Sequence, residues 1–302
     1  MSLSSCHKEE SLPQVWIDGR AVRAENACVS VFDRGFLYGD SVFETLRTYG
    51  NQPFALEAHL ERLQKSAQQV FIELPCSLDT LASEVNQAVL AAGFDETYVR
   101  VMVTRGRGAL GLDPGLAETP LRVLLLTRLQ PPPRNDYDEG ISAVTYRAGR
   151  PGDATSAAGA KIGNYLVAVL SHRAARARGA KEALIVGADG RIVEGATSNV
   201  FWLCGSSLWT VPIEAGILPG ITRRHLLEIA AECGLTTHFQ CPTVDELWGA
   251  DAVFVSSSIR EILSLVRIDG REVGDGKVSP KVKLLHNAFR RARGVAELFV
   301  GP

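Results

Sequence analysis

The sequence predicts an α+β protein of two domains, and three observations carry that expectation. The chain has 302 residues, enough for one large or two ordinary domains with a sizeable core. Apolar runs bounded by glycine turns, which read as strands, are interspersed with amphipathic helical stretches. Between them lies Gln130-Pro131-Pro132-Pro133-Arg134-Asn135-Asp136-Tyr137-Asp138-Glu139-Gly140. Three consecutive prolines fit neither a helix interior nor a central strand and favour stiff extended chain. The expected layout is a small N-terminal domain over residues 1–129 (1–14 a loose polar tail), a linker over 130–140, and a larger domain over 141–302.

Taken in order, Val15-Trp16-Ile17-Asp18-Gly19-Arg20-Ala21-Val22 reads as a hairpin with an Asp-Gly turn. Residues 30–40 read as irregular and aromatic. Residues 41–49 alternate as a strand, and Gly50-Asn51 is a turn signal. Residues 57–67 form an amphipathic helix with Leu60, Leu63 and Ala67 on one face. Residues 78–92 form another, ended by Gly93. Residues 98–103 read as a strand entering a basic glycine-containing loop, and 121–126 as a buried strand. In the second half, 141–146 and 183–186 read as strands. Asp189-Gly190 is a hairpin turn, residues 166–174 are helical, and 251–255 form a strand.

Net charge is −2, from 32 basic and 34 acidic residues, so nothing points to a nucleic-acid surface. The six cysteines form no CxxC pair and read as reduced thiols of a cytoplasmic protein. The histidines show no metal spacing, and no apolar run is long enough to cross a membrane.

Three stretches carry chemistry. Lys161, in Ala157-Ala158-Gly159-Ala160-Lys161-Ile162-Gly163-Asn164-Tyr165-Leu166, follows small residues and precedes a helix. A lysine at the edge of a core can be a nucleophilic amine, although a lone lysine is more often a surface residue covering apolar neighbours. Glu194, in Ile192-Val193-Glu194-Gly195-Ala196-Thr197-Ser198-Asn199, interrupts an apolar strand. A carboxylate there needs a cationic partner or strong donors, and a protonated pyridine nitrogen would suit. Gly216-Ile217-Leu218-Pro219-Gly220-Ile221-Thr222-Arg223 is a turn entering a helix, whose N-terminal N–H groups and Thr222 hydroxyl suit a phosphate. A lysine for a Schiff base and an acid for the pyridinium are what pyridoxal phosphate requires.

Standing in that order, Lys161-Ile162-Gly163-Asn164-Tyr165-Leu166, Glu194-Gly195-Ala196-Thr197-Ser198-Asn199 and Leu218-Pro219-Gly220-Ile221-Thr222-Arg223 resemble the class IV aminotransferases, the fold type IV pyridoxal phosphate enzymes. That family holds branched-chain aminotransferases, D-amino acid aminotransferases and aminodeoxychorismate lyases. The resemblance implies a small α/β N-terminal domain and a larger C-terminal domain with a barrel-like β core. It implies pyridoxal 5'-phosphate held covalently by Lys161, with Glu194 on the pyridine nitrogen and Tyr165 on the phenolic oxygen. Arg62, Ile221, Thr222 and Ser258 would hold the phosphate. Tyr38, Phe43, Thr45, Tyr98, Arg100, Arg105 and Ser257 would line the substrate pocket. It further implies amino acid and 2-oxo acid substrates and a homodimer. The pocket residues point in several directions. Tyr98, Arg100, Phe43 and the Asn164-Tyr165 pair favour a branched-chain enzyme, whereas Arg105 matches a carboxylate-binding arginine of the D-amino acid enzymes. Thr45 stands where branched-chain enzymes have glycine and resembles the lyase, which usually has asparagine in place of Ser257. The expectation is a branched-chain type aminotransferase, with the lyase and the D-amino acid enzyme as alternatives. A non-enzymatic cofactor-binding protein would require Lys161 or Glu194 to be chemically idle.

Overall fold

A computed structural model describes residues 14–147 and 157–299. By internal contacts the chain divides into two units. One holds the described chain up to Glu61 together with Glu73–Gln130, and the other holds Arg62–Ile72 together with the described chain from Pro131 onward.

The first unit contains β1 (Gln14–Ile17), β2 (Arg20–Val22), α1 (Arg34–Tyr38), β3 (Ser41–Tyr49), β4 (Gln52–Pro53), the start of α2 (Leu56–Gln69), α3 (Leu78–Ala92), β5 (Thr97–Thr104) and β6 (Leu121–Arg128). Its six strands form one antiparallel sheet in the order β2-β1-β6-β5-β3-β4. The two-residue side-chain period decides which face is dry. Val42, Leu46, Val99, Val101 and Val103 are fully buried on one face. Glu44 shares that face, and its carboxylate meets His59 Nδ1 at 2.7 Å with both side chains out of solvent. Packing against β1, β5 and β6, α3 turns Leu81, Val85, Ala88 and Val89 inward at helical spacing. The Ser77 hydroxyl caps its start by accepting from Thr80 N–H, and Gly93 ends it in the left-handed conformation at φ +64°.

The stretch 30–40 is more ordered than its irregular pattern predicts, because α1 forms within it. Asp33 Oδ1 accepts from Gly35 N–H at 2.8 Å, and Gly39 ends the turn at φ +68°. An Asx cap with a left-handed glycine makes one helical turn without any apolar periodicity.

The second unit contains the rest of α2, α4 (Arg134–Glu139), β7 (Ile141–Arg147), α5 (Leu166–Ala177), β8 (Glu182–Val186), β9 (Ile192–Gly195), β10 (Asn199–Cys204), β11 (Ser207–Thr210), α6 (Ile221–Ala230), β12 (Thr236–Phe239), α7 (Val244–Trp248), β13 (Ala252–Ser257), β14 (Glu261–Ile268), β15 (Arg271–Glu272) and α8 (Pro280–Arg291). Within 130–140, the three prolines are followed by the helix α4. The nine strands form one mixed sheet, β12-β11-β10-β13-β14-β7-β8-β9, with β15 on β14. β7 is parallel to both β14 and β8, as is β11 to β12, and the other pairs are antiparallel. The sheet curls into a half-barrel around a core that includes Leu184, Ile192, Val200, Val255, Leu263 and Leu265. Curling returns the end of β9 to the start of β10, where Gly195 and Ser198 form an isolated bridge.

Candidate functional site

All seven residues expected to hold the cofactor fall in the second unit, including Arg62, which its contacts separate from Glu61. Lys161 is half-buried just ahead of α5. Its N–H donates to Ser66 Oγ at 3.0 Å, and its Nζ lies 6.0 Å from the centre of the Tyr165 ring, which sits at the N-cap of α5. The ammonium of Lys181, the next lysine along the chain, is taken up in an ion pair with Asp136 at 2.5 Å.

Glu194 lies in β9 opposite Ile185. Among the described residues one hydrogen bond reaches its carboxylate, from Leu218 N–H at 3.3 Å. Desolvation, the largest influence, raises its pKa to about 7; the Leu218 bond and the charge of Lys161 pull the other way. A desolvated carboxylate with one long donor, close enough to Lys161 to feel its charge, fits the place of a pyridinium partner.

Both turns beside it require glycine by close approach. A Cβ on Gly195 would stand 2.1 Å from Ser198 Oγ, and one on Gly220 would stand 2.0 Å from Asn199 Oδ1. Asn199 donates in turn to the Leu218 carbonyl at 2.9 Å, so the strand start at β10 holds the loop that supplies the Leu218 donor. Gly220 opens α6 with no side chain capping that end, and Ile221 and Thr222 are buried in its first turn. Uncapped N–H groups at a ten-residue helix suit a phosphate. The buried Arg62 guanidinium donates to the Pro219 carbonyl at 2.9 Å, which brings a fixed charge to the same loop. The donor set therefore fits pyridoxal phosphate at each of its ends.

The second half of α2 organises this cup. Arg62, Ser66 and Gln69, at i, i+4 and i+7, share one helix face. They reach Pro219 O, Lys161 N–H and, through Gln69 Nε2 at 3.3 Å, Ala158 O. A cleft of about 660 Å³ lies along that face, lined also by Gly159 and Ile217. Sequence reasoning found Arg62 but missed Ser66, Gln69 and Asn199. The i, i+4, i+7 spacing from Arg62 was the available signal for the first two.

Ser258 lies half-buried in the turn after β13. The Ser257 hydroxyl accepts from Arg260 N–H and Nε–H within that turn, at 3.4 and 3.3 Å.

The substrate candidates of the first unit fall in two groups. Cross-strand register pairs Phe43 with Met102, Thr45 with Arg100 and Arg47 with Tyr98. Phe43, Thr45, Tyr98 and Arg100 therefore share the sheet face opposite the dry valine face, with the Arg100 guanidinium 4.0 Å over the Phe43 ring. The second group lies at the start of β3, beside the end of β5. The Tyr38 hydroxyl accepts from Gly111 N–H at 3.2 Å. Arg105 grips Asp40 with two bonds of 2.7 and 3.0 Å, and Arg34 joins the same carboxylate at 3.1 Å.

Comparison with known proteins gives the family. The family described as amino-transferase class IV matches residues 41–268. A Methanocaldococcus jannaschii protein, provisionally named a branched-chain-amino-acid aminotransferase, is 34% identical over 281 residues, 93% of this chain and 96% of that one. The D-alanine aminotransferase of Bacillus licheniformis is 31% identical over 92% of this chain and 96% of its own length. Among solved structures, the Escherichia coli branched-chain amino acid aminotransferase superposes with a TM-score of 0.86 at 29% identity, covering 91% of this chain and 93% of that chain. The protein belongs to the class IV aminotransferases, a family of pyridoxal phosphate-dependent enzymes.

Proposed function

We propose that the protein moves an amino group between a branched-chain L-amino acid and a 2-oxo acid, with pyridoxal 5'-phosphate bound at Lys161. The observation that carries the cofactor reading is the desolvated Glu194 carboxylate, with its single donor and Lys161 as the charge acting on it. When bound, the cofactor supplies a conjugated electron sink for the substrate Cα–H bond. Lys161 would hold it, and the Lys161 amine would serve as base and acid for the Cα proton. Glu194 keeps the pyridine nitrogen protonated. Tyr165 donates to the phenolic oxygen. Arg62, Ile221, Thr222 and Ser258 anchor the phosphate. Phe43, Tyr98 and Arg100 share one face of the first unit's sheet, an aromatic surface with one cation that suits a compact amino acid.

Arg105 supports the L-amino acid reading: its engagement by Asp40, alongside Arg34, favours a role in holding the loop after β5 over clamping a D-amino acid carboxylate. Thr45 is the observation that favours the lyase, since it puts a branched polar side chain directly opposite Arg100. The test adds L-leucine, L-valine and L-isoleucine, their D forms and aminodeoxychorismate separately to the yellow holoenzyme. The L-amino acids should bleach the visible band and 2-oxoglutarate should restore it, while p-aminobenzoate forms slowly or not at all. Fast p-aminobenzoate release with no response to the amino acids would establish the lyase, and a response confined to the D forms would reverse the handedness.

A further inference from the structure

Glu182, the first residue of β8, is a fully buried carboxylate that the reaction does not use. Its Oε1 accepts from Ala183 N–H at 2.8 Å and Ala196 N–H at 3.3 Å, and its Oε2 from Ser198 Oγ at 3.0 Å. The charge is met by Arg260, whose Nη1 donates to Oε2 at 2.6 Å. The same guanidinium reaches two further oxygens, Thr197 Oγ1 at 3.2 Å through Nη2 and Ser257 Oγ at 3.3 Å through Nε. One planar fork thus spans three segments. These are the start of β8, the turn that follows Glu194-Gly195, and the turn that holds Ser257 and Ser258.

The turn after Glu194-Gly195 is tied to the Ser257–Ser258 side by the backbone, since Gly195 bridges Ser198 and the next residue, Asn199, pairs with Ser256 in the β10–β13 ladder. β8 is separated from β13 by β14 and β7 in the sheet. The Arg260 side chain joins the turn after β13 both to Glu182 at the start of β8 and to Thr197, and so adds a rigid side-chain fork to that backbone link. We propose that Arg260, acting through Glu182 and Thr197, is a positioning residue that fixes the pyridine side of the cofactor cradle against its Ser257–Ser258 side. The role rests on the pyridoxal phosphate reading above. Arginine suits it because a rigid fork binds three oxygens in fixed directions, whereas a lysine ammonium on a flexible stem would hold the buried charge but not the geometry.

Removing Arg260 alone leaves Glu182 buried without its cation, so Arg260→Met should lower the melting temperature and confound any single measurement. Two further variants separate fold from position. Glu182→Gln combined with Arg260→Met removes both charges. Thr197→Val cuts the outer bond and leaves the Glu182–Arg260 pair in place. Each is titrated with pyridoxal 5'-phosphate, following the dissociation constant, the pH midpoint of the visible band and the melting temperature of the apoprotein. The double variant should recover the melting temperature of the wild type yet bind the cofactor about tenfold more weakly, the loss expected for charge-assisted bonds, with a shifted midpoint. Thr197→Val should weaken binding severalfold at unchanged melting temperature, and Arg260→Lys should fall between wild type and Arg260→Met. Wild-type affinity and midpoint in the double variant and in Thr197→Val would overturn the proposal and leave Arg260 as a mere counter-charge. A wild-type protein that binds no pyridoxal phosphate would instead sink the aminotransferase reading, and this role with it.

Discussion

At the scale of single residues, the proposed reaction turns on how water is excluded around Lys161 and Glu194. Burial raises Glu194 to about 7, whereas an unfolded glutamate titrates near 4.5. The folded apoprotein therefore holds more protons than the unfolded chain between those values, and stability falls as pH rises through that window. The penalty is complete above about pH 7 and absent below about 4.5. Glu194→Gln should consequently make the apoprotein more stable at pH 8, by up to about 3 kcal/mol, with the difference vanishing near pH 4. Urea unfolding at the two pH values checks it; a variant less stable than wild type at pH 8 contradicts the desolvation account. With cofactor present the order of merit reverses, because a neutral amide cannot keep the pyridine protonated, and transamination should slow strongly. Lys161→Ala should abolish covalent attachment, and borohydride reduction followed by peptide mapping should find the label on Lys161 in wild type. Label on Lys181, which is ion-paired with Asp136, would refute the assignment.

At the scale of elements, two devices do the positioning. The first is the stripe on α2, which sets the Lys161 segment and the Pro219 loop from one rigid helix face. Arg62→Ala removes both the phosphate charge and the bond to Pro219 O. It should weaken cofactor affinity by roughly 2–5 kcal/mol, more than it slows the saturated enzyme. An unchanged dissociation constant would place Arg62 outside the cradle. The second device is the tight turn between β9 and β10. Gly195→Ala puts a methyl into the Ser198 hydroxyl, which Glu182 holds in place. Overpacking of this kind typically costs about 1–3 kcal/mol. Thermal denaturation should show that loss, and adding Ser198→Ala should relieve part of it by removing the oxygen in the way. Full additivity of the two losses would show that the overlap is not the cause.

At the scale of the whole molecule, the family match from residue 41 to residue 268 runs through both units, yet the residues proposed to hold the cofactor gather in one of them. A ligand that binds only the folded state protects what it touches. Adding pyridoxal phosphate to the apoprotein should therefore slow amide hydrogen exchange in β9, the start of α6 and the second half of α2, and leave the β1–β2 hairpin unchanged. Equal protection of hairpin and cradle would mean that the two units open as one. Among the described residues no helix is long and apolar enough to cross a membrane.

Local sequence determined most of the elements and the order of the chemical motifs. Helices α2 and α3 follow from apolar spacing at 3.6 residues, the strands from alternation or continuous apolar runs, and the hairpins from Asp-Gly turns. Lys161, Glu194 and the Gly220-Ile221-Thr222 helix start were legible because each breaks or punctuates a pattern within a few residues. The short helix α1 was not legible, since one capped turn leaves no periodicity. Neither were Ser66, Asn199, Glu182 and Arg260. Ser66 meets Lys161 across 95 residues and Arg260 meets Glu182 across 78. Periodicity tells which face a side chain takes, but not which distant segment lies opposite. That depends on the strand order β13-β14-β7-β8-β9 and on the curl that brings its ends together. Likewise the sequence gives no sign of the partner of Arg105, and the pairing of Ser41 with Thr104 sets it beside Asp40. The tertiary structure decided these partners because a buried or half-buried charge must be matched by whatever the folded chain places within about 3 Å of it.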